Sequence, residues 1–156
     1  MSKVMNLGMG LATAMLLALA AGPAVAKDQV KPAQMGPEAW QGQWSAGPEQ
    51  EIGIRVEGAE LAIEGYATWG ASDPERVKSG GVNIGEAVGK VPLDWIDADN
   101  SLAFALGEAG PVPLAEAEDY DCTLEMQRVG DRLEVTDNFM CGGHNVTFTG
   151  SYSRRE

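Results

Sequence analysis

A chain of 156 residues with 23 acidic and 11 basic side chains carries a net charge of −12 at pH 7. That balance argues against nucleic acid or an anionic membrane surface as a partner, and two cysteines with one histidine are too few for the familiar zinc frameworks. Apolar residues recur along the chain in organised patterns, which excludes a wholly disordered one.

The first element in chain order is a secretory signal peptide. Lys3 is followed by an apolar run from Leu7 to Ala21, then by Gly22-Pro23 and Ala24-Val25-Ala26. This order of cation, apolar stretch and small-residue cleavage site predicts cleavage after Ala26 and export to a periplasm or the exterior. The competing reading is an uncleaved anchor, since the run approaches the length that spans a bilayer. Small residues and Pro23 at the expected cleavage point favour removal. Without residues 1–26 the chain keeps 130 residues, one domain's worth, and a net charge of −13.

Residues 27–38 are polar, aperiodic and contain Pro32 and Pro37, and predict a flexible lead-in. From residue 39 to 156 a single β domain is expected. GQWSA at 42–46 is the first short strand. Between 50 and 69, Ile52, Ile54 and Val56 alternate with polar or small residues, as do Leu61, Ile63, Ala67 and Trp69. Gly58-Ala59 between them suits a type II′ turn. A turn there sets Val56 opposite Leu61 and Ile54 opposite Ile63, so the apolar sets share one face. In GASDPERVKSGG, residues 70–81, Asp73 before Pro74 is placed to cap one helical turn. Strands are expected at Val88–Trp95 and Ser101–Leu106 around a turn at Asp97–Asn100, followed by a loop at Gly107–Asp119.

The hairpin device recurs at 120–137. Cys122, Leu124 and Met126 alternate before Gly130-Asp131, with Leu133 and Val135 beyond it. The register sets Met126 opposite Val135, Leu124 opposite Asp137 and Cys122 opposite Phe139. A last strand, NVTFTGSYS, turns Val146, Phe148 and Tyr152 one way. Some seven or eight short strands without a long helix predict an all-β fold, a small antiparallel barrel with up-and-down order or a sandwich.

The same register bears on CGGH, residues 141–144. Cys141 lies two residues beyond Phe139 on the face of Cys122, a diagonal that a bent strand end brings to disulfide distance. In an exported chain two cysteines pair, so a Cys122–Cys141 disulfide is expected. A paired sulfur is no nucleophile, which removes a Cys141–His144 dyad. Gly142-Gly143 becomes a turn, and His144 a turn or strand-edge residue with a weaker claim to ligand binding or pH sensing.

Other candidate sites are less specific. Asp97, Asp99, Ser101 and Glu108 occupy positions 1, 3, 5 and 12 of a calcium loop, but Leu102 stands where the glycine belongs. An acidic turn followed by a strand explains the same residues. The EAEDYD run, 116–121, reads as a solvated loop or a cation- or basic-protein-binding cluster. Trp44, Trp69 and Trp95, with Trp40, either line a ligand pocket at a barrel mouth or fill the core. Asn145-Val146-Thr147 matches a glycosylation acceptor weakly. No two carboxylates are singled out as a glycosidase pair. No serine-nucleophile elbow, phosphate loop or dinucleotide fingerprint occurs. Neither an enzyme nor a cofactor is indicated.

The tail carries a resemblance. A strand cysteine, Cys122, then GDRLEV at 130–135 and CGGHNVTFTGSYSR at 141–154 follow the pattern C, G-D-x-L-x-V, C-G-G-x-N-V-x-F-x-G-x-Y-x-R. This resembles the tail of small exported bacterial proteins, some with an LprI-type lysozyme-inhibitor domain. The resemblance covers residues 122–156 and lacks the cysteine-rich amino-terminal part of that family. It implies an inhibitor of a basic secreted hydrolase such as lysozyme, with no active-site residue to transfer. The GQW start is also similar to that of avidin- and lipocalin-like barrels, which implies a small apolar ligand as the alternative. A structural envelope protein is the third reading.

Overall fold

The computed structural model describes residues 33–156. The segment expected to be a signal peptide, residues 1–26, lies outside the described residues, as do residues 27–32 of the expected lead-in. The described chain is all-β: nine antiparallel strands form one nearly closed, barrel-like sheet with one disulfide. The strands are β1 Gly42–Ser45, β2 Gln50–Glu57, β3 Glu60–Trp69, β4 Asn83–Pro92, β5 Ser101–Gly107, β6 Gly110–Pro113, β7 Cys122–Val129, β8 Arg132–Asp137 and β9 Gly150–Arg155. One short helix, α1 Pro74–Ser79, interrupts them.

Both hairpins close in the register set by their apolar alternation. Ile54 pairs with Ile63 and Val56 with Leu61 across β2 and β3. Leu124 pairs with Asp137 and Met126 with Val135 across β7 and β8, but the ladder ends there: the pairing expected between Cys122 and Phe139 does not form, because Phe139 lies beyond β8, left-handed and exposed. Gly58 and Gly130 take positive φ, 66° and 60°, at the first turn position, as a type II′ loop requires. The Asp73 carboxylate accepts the Glu75 and Arg76 N–H groups and starts α1, and Gly80 at φ 73° ends it.

Four further expectations need correction. The sheet order is β4-β3-β2-β1-β9-β8-β7-β5-β6. Up-and-down order therefore holds for β1 to β4 and for β7 to β9. It breaks at β6, which pairs with one edge of β5 while β7 takes the other. The strand expected at 88–95 starts earlier, at Asn83, and gives way to a 3-10 turn at Leu93–Trp95 after Pro92. The loop expected at 107–119 holds β6 and a 3-10 turn at Leu114–Glu116. The last strand begins only at Gly150. Val146 and Phe148 are still buried, but the segment before Gly150 is held by side chains rather than by a ladder.

The seam between β4 and β6 is closed by packing. Pro111 and Pro113 of β6 have no N–H to offer a neighbouring strand. Pro111 instead rests on Gly89 of β4, where a Cβ would lie 2.4 Å from its ring. Nearer the start of β4, Gly142 bridges Gly85 and the Gly143 N–H donates to the Ile84 carbonyl at 3.0 Å. Inward residues of all the long strands fill the interior. Trp44, Ile52, Ile54, Leu61, Ile63, Leu102, Phe104, Leu124, Met126, Phe148 and Tyr152 are fully buried in one cluster.

Candidate functional site

The barrel has two chemically different ends. At one end lie the β6–β7 and β8–β9 connections, joined by the Cys122–Cys141 disulfide. Asn138 ties the same loops together. Its amide donates to the Asp121 carbonyl at 2.8 Å, and its side-chain oxygen accepts the Thr123 N–H at 3.1 Å. The lock brings together one residue before Phe139 and one residue after Tyr120. Tyr120 is 83% exposed, Phe139 64% and Met140 50%. Phe139 also takes φ 62°, a conformation that a bulky L-residue rarely adopts. Its N–H is held by Asp137 Oδ2 at 3.3 Å. Acidic side chains lie beside Tyr120. Glu118, Asp119 and Asp121 line a surface cavity of about 490 Å³ with Tyr120, and Glu108, Glu116, Glu118 and Asp121 line a neighbouring one of about 250 Å³.

The opposite end holds the β4–β5 and β7–β8 connections and the approach to β1. Trp44 and Arg154 are direct cross-strand partners on β1 and β9. Arg154 lies 4.7 Å and Arg128 4.4 Å from the Trp44 ring centroid. The Trp44 indole N–H donates to the Trp40 carbonyl at 2.9 Å. Arg128 is only 5% exposed, and burial followed by repulsion from Arg154 holds its pKa below the ordinary arginine value. Beside it, Asn100 is fully buried at φ 66°, accepting the Met35 N–H at 2.6 Å and donating to the Ala33 carbonyl at 3.1 Å. The described part of the lead-in, residues 33–38, is therefore pinned to the barrel rather than loose.

The residues singled out from the sequence scatter between these ends. Cys122 and Cys141 pair as expected. The tryptophans do not line one mouth. Trp40 and Trp44 are buried in the core, and Trp95 is half-buried at the Arg128 end. Trp69 ends β3 at the disulfide end, with the Arg76 guanidinium 3.9 Å from its ring centroid. His144 is exposed, and its carbonyl accepts the Asn83 amide at 2.6 Å. The calcium-loop candidate is not assembled. Asp97, Asp99 and Ser101 share a turn, with the Ser101 hydroxyl 2.7 Å from Asp99 Oδ1. Glu108 lies beyond the far end of β5, about 20 Å away at an extended strand's rise. No group of three acidic, His or Cys side chains suited to a metal occurs among the described residues.

Sequence reading missed the paired arginines and the exposed Phe139-Met140. The inward parity of Cys122, Leu124 and Met126 continues to residue 128 and was the available signal for Arg128. Nothing in the sequence marks Phe139 as left-handed. No protein-family model, no curated protein and no solved structure matches the chain.

Proposed function

We propose that this protein is an exported, non-catalytic binding protein whose partner is a basic protein, a secreted hydrolase of the lysozyme kind being the concrete case. The observation that carries the reading is the exposed apolar side chains on the two loops joined at the disulfide end: Tyr120, which shares a surface cavity with Glu118, Asp119 and Asp121, and Phe139 and Met140 on the loop that the disulfide and Asn138 tie to it. Aromatic and methionine side chains are the residue types that anchor interfaces, and an acidic rim steers and selects a cationic partner. Holding Phe139 at positive φ costs about 1–2 kcal/mol that an asparagine or glycine would not incur. Its exposure gives the fold nothing in return, so the cost points to recognition. The net charge of −12 and the likeness of the tail to LprI-type proteins point the same way.

The filled interior gives less support to a small apolar ligand held inside the barrel. The test is inhibition and binding of lysozyme by the purified protein at low and moderate salt, beside the Phe139→Asn variant. The reading expects inhibition that weakens with salt, and a variant that binds poorly while unfolding at an equal or higher temperature. No binding at either salt would sink it.

A further inference from the structure

We propose that Arg128 and Arg154 form a binding site for a small organic carboxylate at the end of the barrel opposite the disulfide. Both guanidiniums donate to one atom, the Ala39 carbonyl oxygen: Arg128 Nε at 3.0 Å and Arg154 Nη2 at 2.8 Å. The two donor nitrogens are thus separated by no more than those two distances combined, and both guanidiniums lie on the same tryptophan ring. Arg128 also donates to the carbonyls of Gly130, at 3.0 Å, and Arg132. These contacts use one N–H on each of its nitrogens, and a guanidinium has five.

The remaining arginines behave differently. Arg55, Arg76, Arg132 and Arg155 each have a carboxylate within ion-pair distance. Among the described residues Arg128 and Arg154 have none, in a chain where acids outnumber bases two to one. A buried cation beside a second cation is unfavourable unless an anion or strong acceptors compensate it. Carbonyl dipoles and the Trp44 face supply part of that compensation and carry no net charge.

The space for the missing charge is present. A cavity of about 280 Å³ is lined by Arg128, Arg154, Asp131, Gly130, Met35 and Ala39. Its arginines offer planar, forked donors that match a carboxylate. Met35 and Ala39 offer apolar wall for a short aliphatic tail. Among the described residues, Asp131 contributes the one negative charge in the cavity lining and lies beyond ion-pair distance of either arginine, so that lining is net positive. This site is independent of the partner-binding reading above.

The experiment is titration of the purified protein with acetate, butyrate, inorganic phosphate and chloride at constant ionic strength. Trp44 quenching, melting temperature and calorimetry are the readouts. Butyrate is expected to saturate in the millimolar range, ahead of acetate, and to raise the melting temperature. Arg154→Gln, at an exposed side chain, is expected to fold and to weaken butyrate binding at least tenfold. Asp131→Asn is expected to tighten it about two- to threefold by removing a like charge. A purely structural arginine pair would show no such opposite-signed response. The proposal is overturned if butyrate does not saturate, if chloride gives the same response, if phosphate alone binds, or if Asp131→Asn leaves affinity unchanged.

Discussion

Asp137 and Thr149 bind each other in both directions. The Thr149 N–H and hydroxyl donate to Asp137 Oδ1 at 3.1 and 2.6 Å, and the Asp137 N–H donates to the Thr149 hydroxyl oxygen at 3.0 Å. The Thr147 hydroxyl adds a further bond to the same oxygen at 2.5 Å. This nearly buried carboxylate takes the place of the ladder that residues 145–149 lack. Asp137→Ala is expected to cost about 3 kcal/mol, since charged acceptors contribute about 1.5–3 kcal/mol each and are not additive. Asn, which retains an acceptor, should cost about half as much. Urea unfolding gives the energies, and amide exchange at Thr149 shows whether the loss is local.

Gly142 is needed for the seam rather than for a turn alone. A Cβ there would lie 2.5 Å from the Gly85 Cα and 2.9 Å from the Ile84 carbonyl oxygen. Gly142→Ala must push two backbones apart and is expected to cost about 2–3 kcal/mol. Gly143→Ala, whose nearest neighbour is the Asn83 side chain at 3.0 Å, should cost less. Equal thermal shifts for the two variants would contradict this account.

Joint replacement of Cys122 and Cys141 by alanine is expected to lower stability by about 3 kcal/mol in the chain-entropy picture. The disulfide also joins the two loops that carry Tyr120 and Phe139. Partner binding should therefore fall at temperatures where the variant is still folded. Near-ultraviolet circular dichroism with a binding measurement on the same sample separates the two effects.

Tyr152 governs the alkaline limit. Its buried hydroxyl donates to the Phe148 carbonyl at 2.7 Å, and burial, then the Asp137 charge, push its pKa well above the ordinary value of 10.0. The folded-state value is raised, so its contribution is fully present below about pH 10 and is lost as pH rises further. The unfolded chain then releases a proton that the folded chain holds. Tyr152→Phe should cost about 1 kcal/mol at neutral pH and flatten the decline in stability above about pH 10. Urea midpoints measured across that range check the slope.

Much of the fold was legible because a half-buried strand writes its register in alternate residues. Ile54 had to meet Ile63, and Met126 had to meet Val135, once glycine-led turns were placed between them. The Cys122–Cys141 pairing was also legible, from two cysteines near one hairpin end, although the ladder stops at Asp137 rather than running on to Phe139. The position of β6 was not legible, because Gly-Pro-Val-Pro has too few alternating residues to show an apolar face. Its place depends on Gly89 leaving room for Pro111 from a strand far along the chain. The candidate sites were less legible still. Arg128 sits at an inward position where charge is unexpected, and it is accommodated by the Gly130 and Arg132 carbonyls of its own hairpin together with the Ala39 carbonyl and the Trp44 ring, which are distant in sequence.

CGGH shows where the two levels divide. Local sequence indicated that Cys141 pairs with Cys122, the chain's two cysteines set near one end of a single hairpin. Only the tertiary structure decided that Gly142 presses on Gly85 and that His144 is left at the surface. It also set Phe139, beside the disulfide, outward in a strained conformation. The reason is physical: alternation fixes the face on which a side chain lies, whereas close backbone approach and strain depend on elements that meet only when the sheet curls and its edges come together.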